Sequence, residues 1–136
     1  MANTTFSGPV RSENGFEQVT KNATTGAFTT SATYDATIIG GVQELSGAGA
    51  ADLTNLITEL TTAGGAAAVT LADGSTSGQV KIINHIVDGG GTATVTPTTF
   101  ANGTTIAFDA VGESVTLVWN STVGWVATSV NGATVA

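Results

Sequence analysis

His85 is the only histidine in the sequence, and this limits the nucleophilic arrangements that the chain could form. Any Ser–His–Asp or Cys–His arrangement must use it. His85 lies in the run of residues 80–87, with the same parity as Lys81 and Ile83, and no Gly-x-Ser-x-Gly turn accompanies it. The pattern predicts a strand residue on a packed or interface face, and we expect the protein not to be an enzyme.

Two carboxylates, Asp109 and Glu113, bracket residues 110–112 between two strand candidates. Across a turn they could face each other as the carboxylate pair of a glycosidase does. Turn capping is the favoured interpretation, and it also covers Asp73 and Asp88, each of which directly precedes a glycine. None of these loops has the spacing of a calcium-binding loop, so we expect neither a metal nor a cofactor.

Trp119 and Trp125 flank residues 120–124, a spacing that predicts a hairpin with two indoles paired across its strands. Core packing is the favoured role for the two rings. The alternative is that they stack on carbohydrate, as in a fibre tip or a lectin.

The charge balance excludes two classes of partner. Three basic residues stand against ten acidic ones, which gives a formal net charge of −7. A chain this acidic repels the phosphate backbone of nucleic acid and an anionic membrane surface alike. We therefore expect neither nucleic acid nor a membrane as a partner.

The supply of bulky apolar side chains is small. Leu, Ile, Val and Phe together number 32 of 136 residues, beside 26 threonines and 18 glycines. Small side chains remove little apolar area from water, while each ordered residue costs roughly 1.5 kcal/mol of conformational entropy. We therefore expect neighbouring subunits to complete the core.

From residue 27 onward the dominant pattern is alternation of apolar and polar residues. Threonine- and valine-rich runs with a period of two are typical of half-buried strands. The runs are separated by dipeptides that favour tight turns, at roughly ten-residue spacing. The pattern predicts an all-β fold, a small antiparallel sandwich or barrel. The turn residues are Asp73-Gly74, Asp88-Gly89, Asn102-Gly103 and Asn131-Gly132.

The segment of residues 50–62 is ambiguous. Its leucines and Ile57 are spaced as on one face of a helix, with Asp52 near the start and a glycine pair, residues 64–65, after the end. Its threonines are poor helix formers, and all its neighbours are strand-like. We favour a strand and leave the helix open.

The N-terminal region differs from the rest. Residues 1 to about 26 contain Gly8-Pro9 and Asn14-Gly15 without a sustained apolar period, which predicts an irregular arm. We divide the chain into residues 1–45, the arm with its linking strand or strands, and residues 46–136, a β-rich body.

A series of short motifs lies between residues 60 and 136, at turns and along strand faces. They are Leu71-Ala72-Asp73-Gly74, Gly78-Gln79-Val80-Lys81-Ile82, Asp88-Gly89-Gly90, Thr94-Val95-Thr96-Pro97, residues 100–106, residues 108–115 and Trp125. Together they resemble a β-rich module of structural proteins of tailed bacteriophages, especially marine ones. Residues 6–16 also resemble the start of small virion proteins of marine phages. Proteins with this module include head decoration proteins and parts of fibres, and they are typically trimeric.

A fibre normally carries a long shaft, whereas only about 45 residues precede the body. The resemblance therefore implies a capsid decoration, or cement, protein: a homotrimer that binds the major capsid protein on the outer surface of the phage head. Phe6, Val10 and Phe16 of the arm would supply apolar anchors there, and Arg11 a charge-assisted contact. The alternative is a receptor- or glycan-binding module of a fibre or spike that uses Trp119 and Trp125.

Overall fold

The first of two compact units is represented by a β-hairpin. The computed structural model describes residues 16–34 and 41–136, and the units are Met1–Ile38 and Ile39–Ala136. In the first unit, β1 (Phe16–Lys21) and β2 (Phe28–Tyr34) pair antiparallel. The prediction of an irregular arm is therefore wrong for β1. A register shift between Gln18 and Val19 interrupts the ladder, so the apolar residues of this strand do not alternate.

The second unit consists of two five-stranded sheets packed face to face, and we call it the sandwich. Sheet I has the order β11-β10-β7-β5-β3, and sheet II has the order β12-β9-β8-β6-β4. Among the described residues, no helix is long and apolar enough to cross a membrane. The strands are β3 (Val42–Ser46), β4 (Gly49–Ala51), β5 (Ile57–Thr62), β6 (Ala67–Leu71), β7 (Val80–Asp88), β8 (Ala93–Pro97), β9 (Ile106–Phe108), β10 (Ser114–Asn120), β11 (Gly124–Asn131) and β12 (Thr134–Val135).

From β3 to β8 the chain changes sheet after every strand. Each return to a sheet therefore runs in the same direction as before, and β3, β5 and β7 pair parallel, as do β4, β6 and β8. Antiparallel hairpins form where consecutive strands share a sheet, at β8–β9 and β10–β11. The predicted all-β sandwich is confirmed and the sheets do not close into a barrel. The prediction of an antiparallel fold is wrong, however, because both sheets contain parallel as well as antiparallel pairs.

The turns of the sandwich collect at two ends. The upper end holds the turns at residues 47–48, 63–66, 89–92, 109–113 and 132–133, and the lower end holds those at residues 52–56, 72–79, 98–105 and 121–123. Because β3 pairs with β5, residues 42–46 belong to the sandwich. The sequence-based division placed residues 42–45 with the arm, whereas the second compact unit begins at Ile39.

Alternate residues of the strands form the core between the sheets. In β6, for example, Ala67, Val69 and Leu71 are buried, whereas Ala68 and Thr70 are exposed. The buried apolar residues form one cluster: Ala51, Leu60, Ala67, Val69, Leu71, Ile83, Ala93, Val95, Ile106, Phe108, Val115, Leu117, Trp119 and Trp125.

The ambiguous segment contains a strand, as favoured. β5 occupies Ile57–Thr62 with alternate residues buried, and residues 52–56 form the preceding turn. In that turn, Asp52 Oδ1 accepts the backbone N–H groups of Thr54 and Asn55, at 3.0 and 2.7 Å. Leu53 therefore lies in the turn, whereas Ile57 and Leu60 lie in β5, so their helix-like spacing does not mark a helix.

Stacked turns at the upper end approach one another too closely for side chains. A Cβ on Gly89 would collide with the carbonyl oxygen of Thr62, and one on Gly91 with the backbone of Gly65. Gly89 N–H also donates to the Thr62 carbonyl, at 2.9 Å. Glycine at these positions lets each turn lie directly over the turn of the next parallel strand.

We predict that Gly89→Ala lowers the free energy of unfolding of the sandwich by about 2 kcal/mol, because the methyl group must displace a backbone. Gly65→Ala is the matched control, since no atom lies within 4 Å of its added Cβ. Tryptophan fluorescence during urea unfolding measures both, because Trp119 and Trp125 lie in the sandwich. Equal stabilities of the two variants would contradict the close stacking.

Candidate functional site

Strand β7 directs three side chains into the core. Lys81, Ile83 and His85 are all buried, with 1% of Lys81 and 1% of His85 exposed. The prediction that His85 lies on a packed face of a strand is thereby confirmed. Neither polar group is accessible from outside the sandwich.

His85 joins three turns of the upper end. Its Nδ1 lies 3.1 Å from the carbonyl oxygen of Ala110, which can only accept, so Nδ1 carries a proton. Its Nε2 lies 3.5 Å from Oγ1 of Thr62, and this hydroxyl donates to Oδ1 of Asp88, at 3.2 Å. The carboxylate thus contacts the hydroxyl and not the imidazole, which is not the order of a Ser–His–Asp triad. The arrangement holds the turns together.

The carboxylate pair at residues 109–113 forms a turn cap. Oε2 of Glu113 accepts the backbone N–H groups of Asp109 and Ala110, at 2.6 and 3.2 Å. Slight burial raises the pKa of Glu113, but these two N–H donors, together with the Asp109 side chain and the nearby His85, hold the pKa below its usual value. Glu113 is thus committed to the backbone of its own turn. Among the described residues, no group of three or more His, Cys, Asp or Glu is placed to hold a metal ion.

The two tryptophans lie in the core at the lower end. Trp119 and Trp125 are cross-strand partners in the β10–β11 hairpin, with ring centroids 5.4 Å apart in an edge-to-face arrangement. Trp125 is fully buried and donates from Nε1 to the carbonyl oxygen of Ala72, at 2.9 Å, while Trp119 is 8% exposed and covers Gly74. Neither indole presents a ring face on which a sugar could stack.

Most of the predicted interface residues of the arm lie outside the described residues. This applies to Phe6, Val10 and Arg11, while Phe16 begins β1 and its side chain is not among those described. The hairpin itself exposes an aromatic residue that the sequence did not single out. Phe28 is 66% exposed, and Lys21 Nζ lies 5.7 Å from its ring centroid, within range of a cation–π interaction.

Sheet I carries aliphatic residues on its outer face as well as in the core. In the register of the sheet, Val42, Ile57 and Ile82 lie side by side on β3, β5 and β7. Val80, Val118 and Val126 lie side by side on β7, β10 and β11. All six are at least partly exposed, Val42 to 50% and Val80 to 36%. We call this surface the aliphatic face: Val42, Ile57, Val80, Ile82, Val118 and Val126.

The outer face of sheet II has a different character. Its outward positions on β6, β8, β9 and β12 carry only alanine and threonine: Ala68, Thr70, Thr94, Thr96, Ala107 and Thr134. Above the aliphatic face, Glu44, Glu59 and Asn84 are neighbours and form a polar border. The outer face of sheet I is therefore apolar with an acidic border, whereas the outer face of sheet II carries only the small side chains of alanine and threonine.

The aliphatic face was visible in the sequence but not recognised. The run of residues 80–87 has apolar side chains at both parities, which is typical of a strand with both faces covered. One face of β7 is covered by sheet II, and the other is the aliphatic face.

No protein-family model matches this sequence, and no curated protein matches it.

We predict that Glu113→Gln lowers the free energy of unfolding by about 1 kcal/mol at pH 7, because a neutral amide accepts the two N–H groups less strongly. Because the pKa of Glu113 is lowered in the folded protein, its contribution is present above the usual value of 4.5 and is lost as the pH falls through the folded value. The difference between variant and parent should therefore disappear in acid. Urea unfolding across this pH range measures it.

Glu44→Gln is the control for that experiment, since Glu44 is exposed on an edge strand. Its stability should stay within about 0.5 kcal/mol of the parent. If the free energy of unfolding of Glu113→Gln fell in acid by as much as that of the parent, the assignment of Glu113 as the turn cap would be contradicted.

Proposed function

We propose that the protein is a capsid decoration protein of a tailed bacteriophage, a non-enzymatic homotrimer that binds the major capsid protein on the outer surface of the head. The aliphatic face is the observation that carries the proposal. Large contiguous apolar surfaces on a folded protein mark contact with another protein. The choice of a phage head as the assembly rests on the resemblance of residues 60–136 to phage structural modules.

The aliphatic face supports association between copies of the chain. Six partly exposed valine and isoleucine side chains on one sheet provide apolar area that a neighbouring subunit can remove from water. This agrees with the expectation from composition that the core is small for a chain of this length. The trimer would add subunit contacts to the stability of each sandwich.

The mechanism of capsid stabilisation is mass action. A protein that binds only the assembled shell stabilises that shell by an amount set by its concentration and affinity. Three attachment points in a trimer raise the effective concentration of each weak contact. We assign the attachment to the arm, with Phe6, Val10 and Phe16 as apolar anchors and Arg11 as the charge-assisted contact. Its separation from the sandwich as a compact unit supports that role.

The alternative, a receptor- or glycan-binding module, relies on Trp119 and Trp125. Both indoles pack in the core, and Trp125 is fully buried. A sugar could stack on them only if the β10–β11 hairpin were rearranged, so we do not favour this function.

We predict that the purified chain is a trimer and that Val42→Lys/Val80→Lys dissociates it, because two charges would be buried without partners in the contact. Both positions are exposed, so the single sandwich should keep its fold. Ala68→Lys/Thr70→Lys places the same charges on the outer face of sheet II and is the matched control. Light scattering coupled to size-exclusion chromatography gives the mass. A monomeric parent, or trimers of both variants, would contradict the proposed contact.

We also predict that the chain binds purified expanded capsids and raises their melting temperature. Deletion of residues 1–26 should abolish this effect, since it removes the anchors, while the tryptophan fluorescence of the sandwich remains unchanged. Cosedimentation and calorimetry measure binding and stabilisation. If the truncated chain bound capsids with full affinity, the arm would not be the anchor. If the parent bound glycans but not capsids, and Trp125→Ala abolished the glycan binding, the alternative function would be favoured.

A further inference from the structure

The end of the β1–β2 hairpin combines an aromatic ring with a positive charge. Lys21 and Phe28 are the last cross-strand partners before the turn at residues 22–27, and Nζ of Lys21 lies 5.7 Å from the ring centroid. Phe28 is 66% exposed, and Lys21 is exposed as well. We call these two residues the tip pair. They present an apolar ring and a cation side by side on the surface of the hairpin.

The turn that carries the tip pair has a fixed shape. Oδ1 of Asn22 accepts the backbone N–H groups of Thr24 and Thr25, at 2.8 and 3.0 Å. The backbone N–H of Asn22 donates to the carbonyl of Ala27, at 2.8 Å, and the N–H of Gly26 donates to the carbonyl of Asn22, at 2.9 Å. The backbone of the tip is thus ordered before any contact is made, which lowers the entropy cost of binding through it.

The aliphatic face of the sandwich and its border have the complementary chemistry. Val42 and Ile57 lie side by side in one outward row, and Glu44 and Glu59 lie side by side in the next. Like charges on paired strands repel each other. Among residues 41–136 only Lys81 is a lysine or an arginine, and it is buried. A cation that neutralises the two carboxylates must therefore come from outside the sandwich.

The spacing of the two groups on the tip matches the spacing of the two rows. Successive outward residues of a strand are about 6.6 Å apart. The amine of Lys21 lies 5.7 Å from the centre of the Phe28 ring. A ring that packs on the apolar row therefore places the amine beside the row of carboxylates.

The symmetry of a trimer requires contact between two different patches. A patch that contacts the same patch on another copy gives a two-fold dimer, whereas contact between unlike patches can close into a ring. Packing of one aliphatic face on another would also bring Glu44 and Glu59 of both copies together. The second patch of a trimer contact therefore has to be apolar and cationic, and the tip pair has both properties.

We propose that the hairpin tip of one copy docks on the aliphatic face of a neighbouring copy, with Phe28 on the row of Val42 and Ile57 and Lys21 beside the carboxylates. Each copy donates one tip and receives one, so three such contacts close the ring. This inference rests on the proposed trimer and names the partner of its aliphatic face. The proposed capsid anchor Phe16 lies at the opposite end of the hairpin, so the two contacts do not compete.

The test is a disulfide trap, which is selective because the chain contains no cysteine. Ala27→Cys/Val42→Cys places one thiol beside Phe28 and one on the aliphatic face, and it leaves the tip pair in place. After mild oxidation, denaturing electrophoresis without reductant should show a covalent trimer. Ala27→Cys/Thr70→Cys places the second thiol on the outer face of sheet II and is the matched control. It should remain a single chain.

An exchange of charges tests the role of Lys21. Lys21→Glu should raise the dissociation constant of the trimer roughly tenfold, because like charges then meet across the contact. Lys21→Glu/Glu59→Lys brings opposite charges together again and should recover most of the lost affinity. Light scattering over a dilution series measures the dissociation, and tryptophan fluorescence checks that each variant keeps its folded sandwich.

The outcomes distinguish this inference from the proposed function. A disulfide within a single chain of Ala27→Cys/Val42→Cys, or a trimeric parent whose cysteine variant forms no disulfide, would overturn the tip contact and leave the decoration protein standing. A Lys21→Glu trimer as tight as the parent would overturn the contact as well. A monomeric parent would overturn the trimer, and this inference with it.

Discussion

The architecture depends on the crossing of the chain between two sheets after each strand from Val42 to Pro97. Such crossings place successive turns directly over one another, at the spacing of neighbouring strands, which is about 4.8 Å. Backbones at that separation leave no room for a Cβ at Gly89 or Gly91. The glycines thus permit the parallel stacking, and the stacking in turn places β7 at the centre of sheet I.

The central position of β7 explains how two polar side chains come to be buried. Burying an amine or an imidazole is costly unless hydrogen bonds compensate. Here each group reaches a turn carbonyl, Lys81 at the lower end and His85 at the upper end. Since Lys81 is the only lysine or arginine after residue 21, its burial leaves a sandwich surface that carries carboxylates alone. Two copies of that surface could therefore form no ion pairs with each other.

Local patterns were enough to predict the fold class and the hairpin at residues 120–124, and to favour a strand over a helix in residues 50–62, because alternation and turn residues are encoded in adjacent positions. The direction of strand pairing was not predictable, since parallel and antiparallel strands share a period of two. The strand Phe16–Lys21 was missed because a register shift disturbs its alternation. Among the site residues, Glu113 was correctly interpreted as a turn cap. The approach of Lys81 to Asn55 depends on pairing between distant segments, and no local pattern indicates it.

The hydrogen bond from Trp125 to Ala72 has a consequence for the order in which the molecule is assembled. Its partners are 53 residues apart, and the largest core side chain enters only with the penultimate strand. A contact between remote segments forms only after the intervening chain has been ordered into a closed loop, and the entropy cost of that closure slows folding. A ribosome-bound chain that ends before residue 125 would hold a groove where the indole belongs. The core therefore lacks its largest side chain until the β10–β11 hairpin has been synthesised.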